Sequence, residues 1–222
     1  MLNIILLAAF ATFLGYRLYK TLGNSKYDHD LSGKSKKTYE EYKDFVLKEG
    51  VSNNDAQHQA TIFEEEEPDL NDAEKQIVKE LTKYNPSFTI SKFLKGAKFA
   101  FEEILKAYSS QDQATLRKLC VGKALETFIN DIEHFKSNSQ IKNVSLVSVQ
   151  NPVIKSITNN GSEAEIKVKF DSEQISSVVD KISGNLISGS VSKITNRTDT
   201  FIFSKKINSN SNIWFLIQND SK

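Results

Sequence analysis

Few side chains in this sequence combine a reactive type with a spacing that would support chemistry. The three histidines, His29, His58 and His134, are scattered, and no Cys/His pair has the spacing of metal ligands. The single cysteine, Cys120, excludes an internal disulfide and is compatible with a reducing compartment. We therefore expect no structural metal site and no cofactor.

An Arg/Asp pair near the C-terminus is the candidate for acid–base catalysis. Arg197 and Asp199 share the strand parity of Phe201 and Phe203, so all four side chains could face one interior. An Asp inside an apolar pocket can act as a general base. Alternatively, the two residues form an ion pair at the mouth of the pocket, or a β-bulge changes the register. We favour this structural interpretation and expect no catalytic residue.

Aromatic side chains at helix or strand period form the second candidate site. They either fill an ordinary domain core or line an apolar pocket that binds a ligand or a polypeptide. An empty, well-formed cavity would favour binding, whereas a filled core would not. The candidates for the lining are Phe101, Tyr108, Phe128, Phe170, Phe201, Phe203 and Trp214.

The elements that would position these residues begin with four predicted helices. The first ends before Asn85-Pro86, and the second carries a wide apolar stripe from Phe93 to Tyr108. The segments QATLRKL and GKALETFINDIEHF give the third and fourth helices. The expected N-caps of the first three are Asn71 or Asp72, Ser91 and Asp112.

Phe99 lies on the second helix, on the side opposite the apolar stripe. With Phe93 at zero and 100° per residue, Phe99 falls at about 240°, among lysines at about 200–260°. A ring among lysines could enter the headgroup layer of an anionic membrane. The alternative is that Phe99 packs under the first helix, on Ile77, Val78 and Leu81. The candidates for membrane contact are Lys92, Lys95, Phe99 and Lys106.

Beyond Asn138 the hydrophobic period changes to two, which predicts strands. KNVSLVSVQNPVIKSI and SEAEIKVKF are expected to pair through a hairpin at Asn159-Asn160-Gly161. SVSKITNRTDTFIFSKK and IWFLIQ supply two further strands. The prediction is an α+β domain at residues 73–222, with N-terminal helices packed on one face of a four-stranded, mostly antiparallel sheet.

The N-terminal segment, residues 1–20, is predicted to be a transmembrane anchor. Its first 16 residues lack charge, and Arg17 and Lys20 follow. This charge bias places the N-terminus outside and the domain in the cytoplasm, as a single-pass protein. A cleaved signal peptide is the alternative, because Ala9-Phe10-Ala11 resembles a cleavage site.

Residues 21–72 are predicted to be an acidic, mostly disordered linker. Between residues 24 and 72, six Lys/Arg residues stand against 13 Asp/Glu residues. The stretch KTYEEYKDFVLKEG inside it could form a short amphipathic helix that is either transient or docks a partner. The domain itself is basic but lacks a Lys/Arg run or a basic aromatic motif, so no nucleic acid partner is expected.

An ordered set of segments resembles the family of the TIM 44-kilodalton subunit, in its short bacterial, membrane-anchored form. These segments are FLKGAKFAFEEILKAYSSQDQATLRKL, AEIKVKF, GNLISGSV, RTDTFIFSKK and NIWFLIQ, and they cover residues 74–219. The resemblance implies a cone-like fold of the nuclear-transport-factor-two type around an apolar pocket, at the bacterial inner membrane. The mitochondrial members tether a chaperone to the import channel, and their paired N-terminal helices are thought to touch anionic lipid.

This chain has a much shorter stretch before the domain than those mitochondrial relatives, which makes chaperone tethering uncertain. The expected function is therefore a membrane-anchored polypeptide-binding or scaffold protein, assisting protein translocation or membrane-protein assembly. Its expected partners are membrane lipids and client or translocase polypeptides. The alternatives are a domain that binds lipid or a small ligand and, less favoured, a pocket enzyme of the same fold.

Overall fold

Four helices precede the sheet in the computed structural model, which describes residues 68–221. The predicted anchor at residues 1–20 and most of the predicted linker lie outside the described residues. The four helices expected from the hydrophobic period are confirmed. They are α1 (Asp72–Tyr84), α2 (Ile90–Ser109), α3 (Gln113–Leu119) and α4 (Gly122–Ser137).

Side-chain caps fix where the first three helices begin. Asn71 and Glu74 form a reciprocal capping box at α1, with both hydrogen bonds at 3.0 Å. Asp112 caps α3 by accepting a hydrogen bond from the backbone of Thr115 at 3.1 Å. The predicted cap at Ser91 is wrong, because α2 begins two residues earlier. Thr89 has an extended backbone there, and its hydroxyl accepts from the Lys92 N–H at 3.2 Å.

The sheet contains six strands, and the prediction of four is wrong. All strand pairs are antiparallel, and the central path runs β1–β3–β5–β6, with β2 and β4 also paired to β3. The strands are β1 (Gln140–Val149), β2 (Val153–Asn160), β3 (Glu163–Asp180), β4 (Leu186–Gly189), β5 (Thr195–Lys206) and β6 (Phe215–Ser221).

The stretch expected to be one strand is two, β1 and β2, because Pro152 interrupts it. Proline has no backbone N–H for the ladder, and the chain leaves the sheet between Val149 and Val153. β2 pairs with the first half of β3, and β1 pairs with the second half. The 18-residue strand β3 therefore holds two successive partners along the same edge. The additional strand β4 has only four residues.

The hairpin between β2 and β3 is confirmed at the predicted place. Asn160 pairs with Glu163, and Gly161 adopts a positive φ of 70° in the turn. In β3 the predicted alternation also holds, since Ala164, Ile166 and Val168 are fully buried while their neighbours are partly exposed. One face of the sheet is therefore covered, as an α+β domain requires.

Side chains from the helices close the outer edges of β1 and β2. The Val144 N–H of β1 donates to the Ser109 hydroxyl at 2.9 Å, at the end of α2. The Ile157 N–H of β2 donates to the Glu74 carboxylate at 3.0 Å, in the first turn of α1. These contacts satisfy edge donors that could otherwise pair with another chain. Glu74 therefore both caps α1 and fastens it to the sheet.

We expect Gly189→Ala to destabilise the hairpin between β3 and β4. Gly189 has a φ of 78°, and an added Cβ would lie 2.2 Å from the Ser176 carbonyl oxygen. Backbone strain of this kind costs about 1–3 kcal/mol, and the clash adds to it. Amide hydrogen exchange of residues 176–190 would measure the loss.

Gly161→Ala is the matched control for Gly189→Ala. Gly161 also has a positive φ, of 70°, but nothing lies within 4 Å of an added Cβ. It should therefore show only the smaller conformational cost of about 1–2 kcal/mol. Equal effects of the two substitutions would contradict the close approach at Gly189.

Candidate functional site

The candidate site is the covered face of the sheet, where β3 and β5 lie against α2. β3 and β5 pair along their whole contact without a register shift. Alternate residues of both strands therefore point inward together. All seven aromatic residues proposed from the sequence are buried and belong to one hydrophobic core cluster, of which this face is a part. Their exposed fractions range from 0% for Phe101 and Phe170 to 9% for Tyr108.

Three phenylalanines form the centre of this aromatic cluster. The Phe101 ring of α2 stacks on the Phe170 ring of β3, with the centroids 4.4 Å apart and the planes inclined by 5°. The Phe201 ring of β5 contacts both, at 5.2 Å and 5.5 Å between centroids. The rings fill the space between helix and sheet, so a ligand entering here would have to separate the stacked pair.

The cluster extends toward the start of α2 through Phe203 and Trp214. The Phe93 ring contacts both, with centroid distances of 5.9 Å and 4.9 Å, and Phe88 contacts Trp214 at 5.9 Å. Phe88 lies in the loop between α1 and α2. This loop is held to residues 211–212 by the Asn85 side chain, which donates to the Asn212 side chain. The cluster therefore ties the helical layer to the second half of β5 and to the residue that precedes β6.

Tyr108 and Phe128 form a separate aromatic contact between α2 and α4, at 5.4 Å between centroids. The Tyr108 hydroxyl donates to the Asp131 carboxylate at 2.8 Å. Burial, followed by this hydrogen bond and the nearby negative charge, raises the pKa of the Tyr108 hydroxyl well above its usual value. The phenol therefore stays protonated and acts as a structural donor, not as a proton shuttle.

The inward face becomes polar where β3 continues beyond Phe170. Ser172, Gln174 and Asp199 are all buried there, with exposed fractions of 3–5%. The Gln174 amide donates to the Ser172 hydroxyl at 2.9 Å and to the Asp199 carboxylate at 3.2 Å. Sequence parity placed Asp199 on the inside correctly, but it did not identify Gln174 as the partner.

The proposed ion pair between Arg197 and Asp199 is not formed, and no bulge shifts β5 against β3. Within residues 68–221, ion pairs join Lys106 to Glu103 and Lys169 to Asp171. Arg197 is partly exposed. Arg197 and Asp199 are two residues apart on the same strand, so their side chains are separated along β5. Gln174 instead lies on the neighbouring strand β3, and its side chain reaches Asp199 across the sheet.

Lys205 is the inward-facing residue that the sequence interpretation missed. It is two residues beyond Phe203, so the same alternation that identified Phe201 and Phe203 could have found it. Its side chain is 5% exposed, and its Nζ has no hydrogen-bond partner among the described residues. The ammonium lies 5.9 Å from the centroid of the Trp214 ring, a cation–π geometry. Burial lowers the pKa of Lys205 to about 8.

Cys120 is fully buried at the junction between α3 and α4. Burial raises the pKa of its thiol to about 12, so the thiolate that would act as a nucleophile is not populated at neutral pH. His134 makes an edge-to-face contact with its neighbour Phe135 near the end of α4, whereas His29 and His58 lie outside the described residues. Among residues 68–221, no three His, Cys, Asp or Glu side chains converge on a possible metal position.

The proposed membrane-contact residues share one side of α2. Phe99 is partly buried and packs against the main core cluster. Lys95 and Lys106 are exposed, and Lys106 pairs with Glu103 at 3.4 Å. Lys92 is partly buried and donates to the Ser87 carbonyl at 3.5 Å. The role of this face in lipid contact stays a prediction.

The fold and the site together define a class of protein: an α+β domain with helices on one face of an antiparallel sheet and an aromatic interior. Residues 74–221 match the family model of the Tim44-like domain, which extends over more than half of the chain. The chain therefore belongs to the Tim44-like domain family, and the resemblance found in the sequence is confirmed. Membership indicates a binding or scaffold role in association with a membrane.

Two solved structures are distantly similar to this chain. The intermembrane-space region of the chloroplast protein ARC6 is 12% identical with a TM-score of 0.43, covering 58% of this chain and 95% of that one. TsrD from Streptomyces laurentii is 15% identical with a TM-score of 0.26, covering 57% and 87% of the two chains. No curated protein matches the chain. The family assignment depends on neither structural likeness.

None of the helices within residues 68–221 has the length and apolar character needed to cross a bilayer. The predicted transmembrane segment, residues 1–20, lies outside this range.

Proposed function

We propose that this protein is a polypeptide-binding or scaffold protein of the bacterial inner membrane, which assists protein translocation or membrane-protein assembly. The observation that carries the proposal is the match of residues 74–221 to the Tim44-like domain family. The uncharged 16-residue N-terminal segment supports a single-pass anchor with the N-terminus outside and the domain in the cytoplasm. We also propose that the domain has the cone-like fold of the nuclear-transport-factor-two type that the family resemblance implies.

Tight packing of the interior favours client contact on the outside of the domain. The central rings already touch one another, since Phe101 stacks on Phe170 at 4.4 Å. On the outside, Val121 and Phe215 are 38% and 37% exposed. They are neighbours, because the Val121 N–H donates to the Leu216 carbonyl at 2.9 Å. This pair gives the domain a small apolar surface beside the start of β6, suited to a weak contact with unfolded chain.

Site-specific photo-crosslinking in intact cells tests the proposal. A photoreactive residue at Val121 or Phe215 should give adducts with translocase subunits or with membrane proteins under synthesis. The matched control is Asn208, an exposed polar residue in the turn between β5 and β6. Absence of adducts, or equal adducts at Asn208, would argue against polypeptide binding.

We also propose that the protein has no catalytic activity of its own, and Asp199→Asn tests this. Asn keeps an oxygen that can accept from the Gln174 amide, which lies 3.2 Å from Asp199. We expect the substitution to preserve cellular function and to change the free energy of unfolding by less than about 1 kcal/mol. Complementation of a deletion strain and urea denaturation would measure the two effects.

Asp199→Ala is the comparison that separates folding from chemistry. It leaves the buried Gln174 amide without this acceptor, at a cost of about 1–3 kcal/mol. Loss of function in the stable Asn variant would point to a catalytic carboxylate, whereas loss in the Ala variant alone would reflect folding.

Lipid or small-ligand binding is the second candidate function. The basic side of α2, with Phe99 between Lys95 and Lys106, favours lipid over a small ligand. This side offers cations and one ring to a headgroup layer, in line with interfacial helices generally.

A further inference from the structure

A second apolar surface lies in the segment that joins β3 to β5. We call residues 181–194 the distal hairpin; it contains the turn after β3, the short strand β4 and the loop before β5. Five of the ten exposed large apolar residues in the described part of the chain fall within it. They are Ile182 (87%), Leu186 (51%), Ile187 (49%), Val191 (68%) and Ile194 (50%). Apolar exposure is therefore concentrated in one segment.

Hydrogen bonds hold the distal hairpin in a defined shape. The Asp180 carboxylate accepts from the backbone of Ile182 at 3.1 Å and from the backbone and hydroxyl of Ser183 at 2.7 Å and 2.8 Å. On the return, the Ser190 hydroxyl accepts from the backbone of Ser192 and Lys193, at 3.2 Å and 2.9 Å. The exposed apolar side chains are thus presented by an ordered turn and loop.

The exposed apolar residues are spread along the whole distal hairpin. All four residues of β4 are exposed, and a register shift leaves Ile187 without a paired residue on β3. Ile182 precedes β4, whereas Val191 and Ile194 follow it. A bilayer interface can surround an inserted loop with apolar residues along its length, whereas a groove or a flat protein partner covers one side of it.

The charges of the distal hairpin suit an anionic surface. Residues 181–194 contain Lys181 and Lys193 and no Asp or Glu. The adjacent carboxylate, Asp180, is occupied by the three donors of its own turn. The two lysines can contact anionic headgroups, and the five exposed apolar side chains beside them can enter the layer below. The remaining residues of the segment are Ser, Gly and Asn, which carry no charge.

We propose that the distal hairpin inserts into the interface of an anionic membrane and is a contact separate from α2 and from the predicted N-terminal anchor. The inference rests on the membrane location proposed above. It implies that the end of β3 carrying Asp180 faces the bilayer. The opposite end of the sheet, at the β2–β3 turn and Lys206, would then point away from it, because Lys206 pairs with Glu163 at the start of β3.

Lipid-based quenching in the full-length protein tests this orientation. The chain is reconstituted in nanodiscs containing phosphatidylglycerol, with an environment-sensitive fluorophore on Ile182→Cys or on the control Lys206→Cys. Cys120 is fully buried, and a mock labelling of the parent chain measures its background. Nitroxide-labelled lipids should quench the probe at 182 several-fold more strongly than the probe at 206.

The expected quenching at 182 decreases in zwitterionic nanodiscs, at high salt, and when Lys181 and Lys193 are both replaced by Ser. A probe on Lys95→Cys reports the basic side of α2 in the same way. Quenching at 95 with none at 182 would assign the contact to α2 and overturn the proposal. Equal quenching at 182 and 206 would also overturn it.

Contacts of the hairpin with protein would give different results. A spectral shift at 182 that requires two labelled copies in one nanodisc would assign the hairpin to self-association. A shift that appears only with an added client polypeptide would assign it to client binding. Either result overturns the lipid proposal, while the crosslinks expected at Val121 and Phe215 would still support polypeptide binding.

Discussion

Replacing Phe101 by alanine should lower the free energy of unfolding by about 3–5 kcal/mol. Phe101 is fully buried, and its ring lies on Phe170 and Phe201 at centroid distances of 4.4 Å and 5.2 Å. The truncation leaves a cavity at the contact between α2 and the sheet, which the stacked neighbours cannot fill without moving. Urea denaturation with an unchanged m-value would measure the loss as a stability effect.

Phe215→Ala is the matched control for Phe101→Ala. Phe215 is the same residue type but is 37% exposed at the start of β6, so its truncation should cost less than about 1 kcal/mol. A double-mutant cycle between Phe101 and Phe170 should give a coupling of about 0.5–1.5 kcal/mol for the stacked pair. A small effect of Phe101→Ala would mean that the interior is loosely filled and can accept a ligand.

Replacing Lys205 by methionine should stabilise the domain at neutral pH. The buried ammonium has no hydrogen-bond partner among the described residues, and burial lowers its pKa to about 8 from the ordinary lysine value of 10.5. That difference corresponds to a cost on the order of 3 kcal/mol for keeping the charge inside. Methionine preserves the length and the contact with Trp214 without the charge, so we expect a gain of about 1–3 kcal/mol.

The pH dependence gives a second measurement on the same lysine. Between pH 8 and 10.5 the unfolded chain binds a proton at Lys205 that the folded chain has released. The Lys205 contribution to stability therefore rises with pH across this window, and below pH 8 its full cost is present. The buried Cys120 thiol, whose pKa is raised, has the opposite effect above pH 9 in parent and variant alike, so the comparison of the two isolates Lys205. Urea denaturation at pH 7, 9 and 10.5 should show that the stability gain of Lys205→Met shrinks as the pH rises.

Lys206→Met is the matched control for Lys205→Met. Lys206 is the next residue of β5 and is exposed, so its replacement should change stability by less than about 0.5 kcal/mol and keep the pH dependence. If Lys205→Met instead destabilised the protein, the ammonium would have a stabilising partner, such as a bound anion, beyond its contact with the Trp214 ring.

Local signals in the sequence were enough to place most elements of the fold. A helix start depends on a side chain within three residues, so Asn71 and Asp112 could be identified as caps. A hairpin turn depends on its own residues, which is why the turn at Gly161 was predicted at the right place. The cap at Ser91 was misplaced because Thr89, two residues earlier, supplies an equivalent hydroxyl.

Strand parity determined which side chains of the candidate site face inward. It identified Phe170, Phe201, Phe203 and Asp199, and the same alternation continued two residues beyond Phe203 gives Lys205. Parity does not reveal contacts, however. The stacking of Phe101 on Phe170 and the bond between Gln174 and Asp199 depend on how α2 and β3 lie against β5.

The amino-acid sequence by itself therefore determined the α+β class, the family, the caps at Asn71 and Asp112 and the inward alternation, since each depends on neighbouring residues or on an ordered set of segments. Tertiary structure decided the pairing of β1 and β2 along one 18-residue strand, because register between distant segments depends on the whole sheet. Tertiary structure also decided which charged residue is buried and which apolar residues are exposed, contrary to the usual pattern. Lys205 is enclosed because Trp214 and the sheet surround it, and Ile182 is exposed because no element within residues 68–221 covers the distal hairpin.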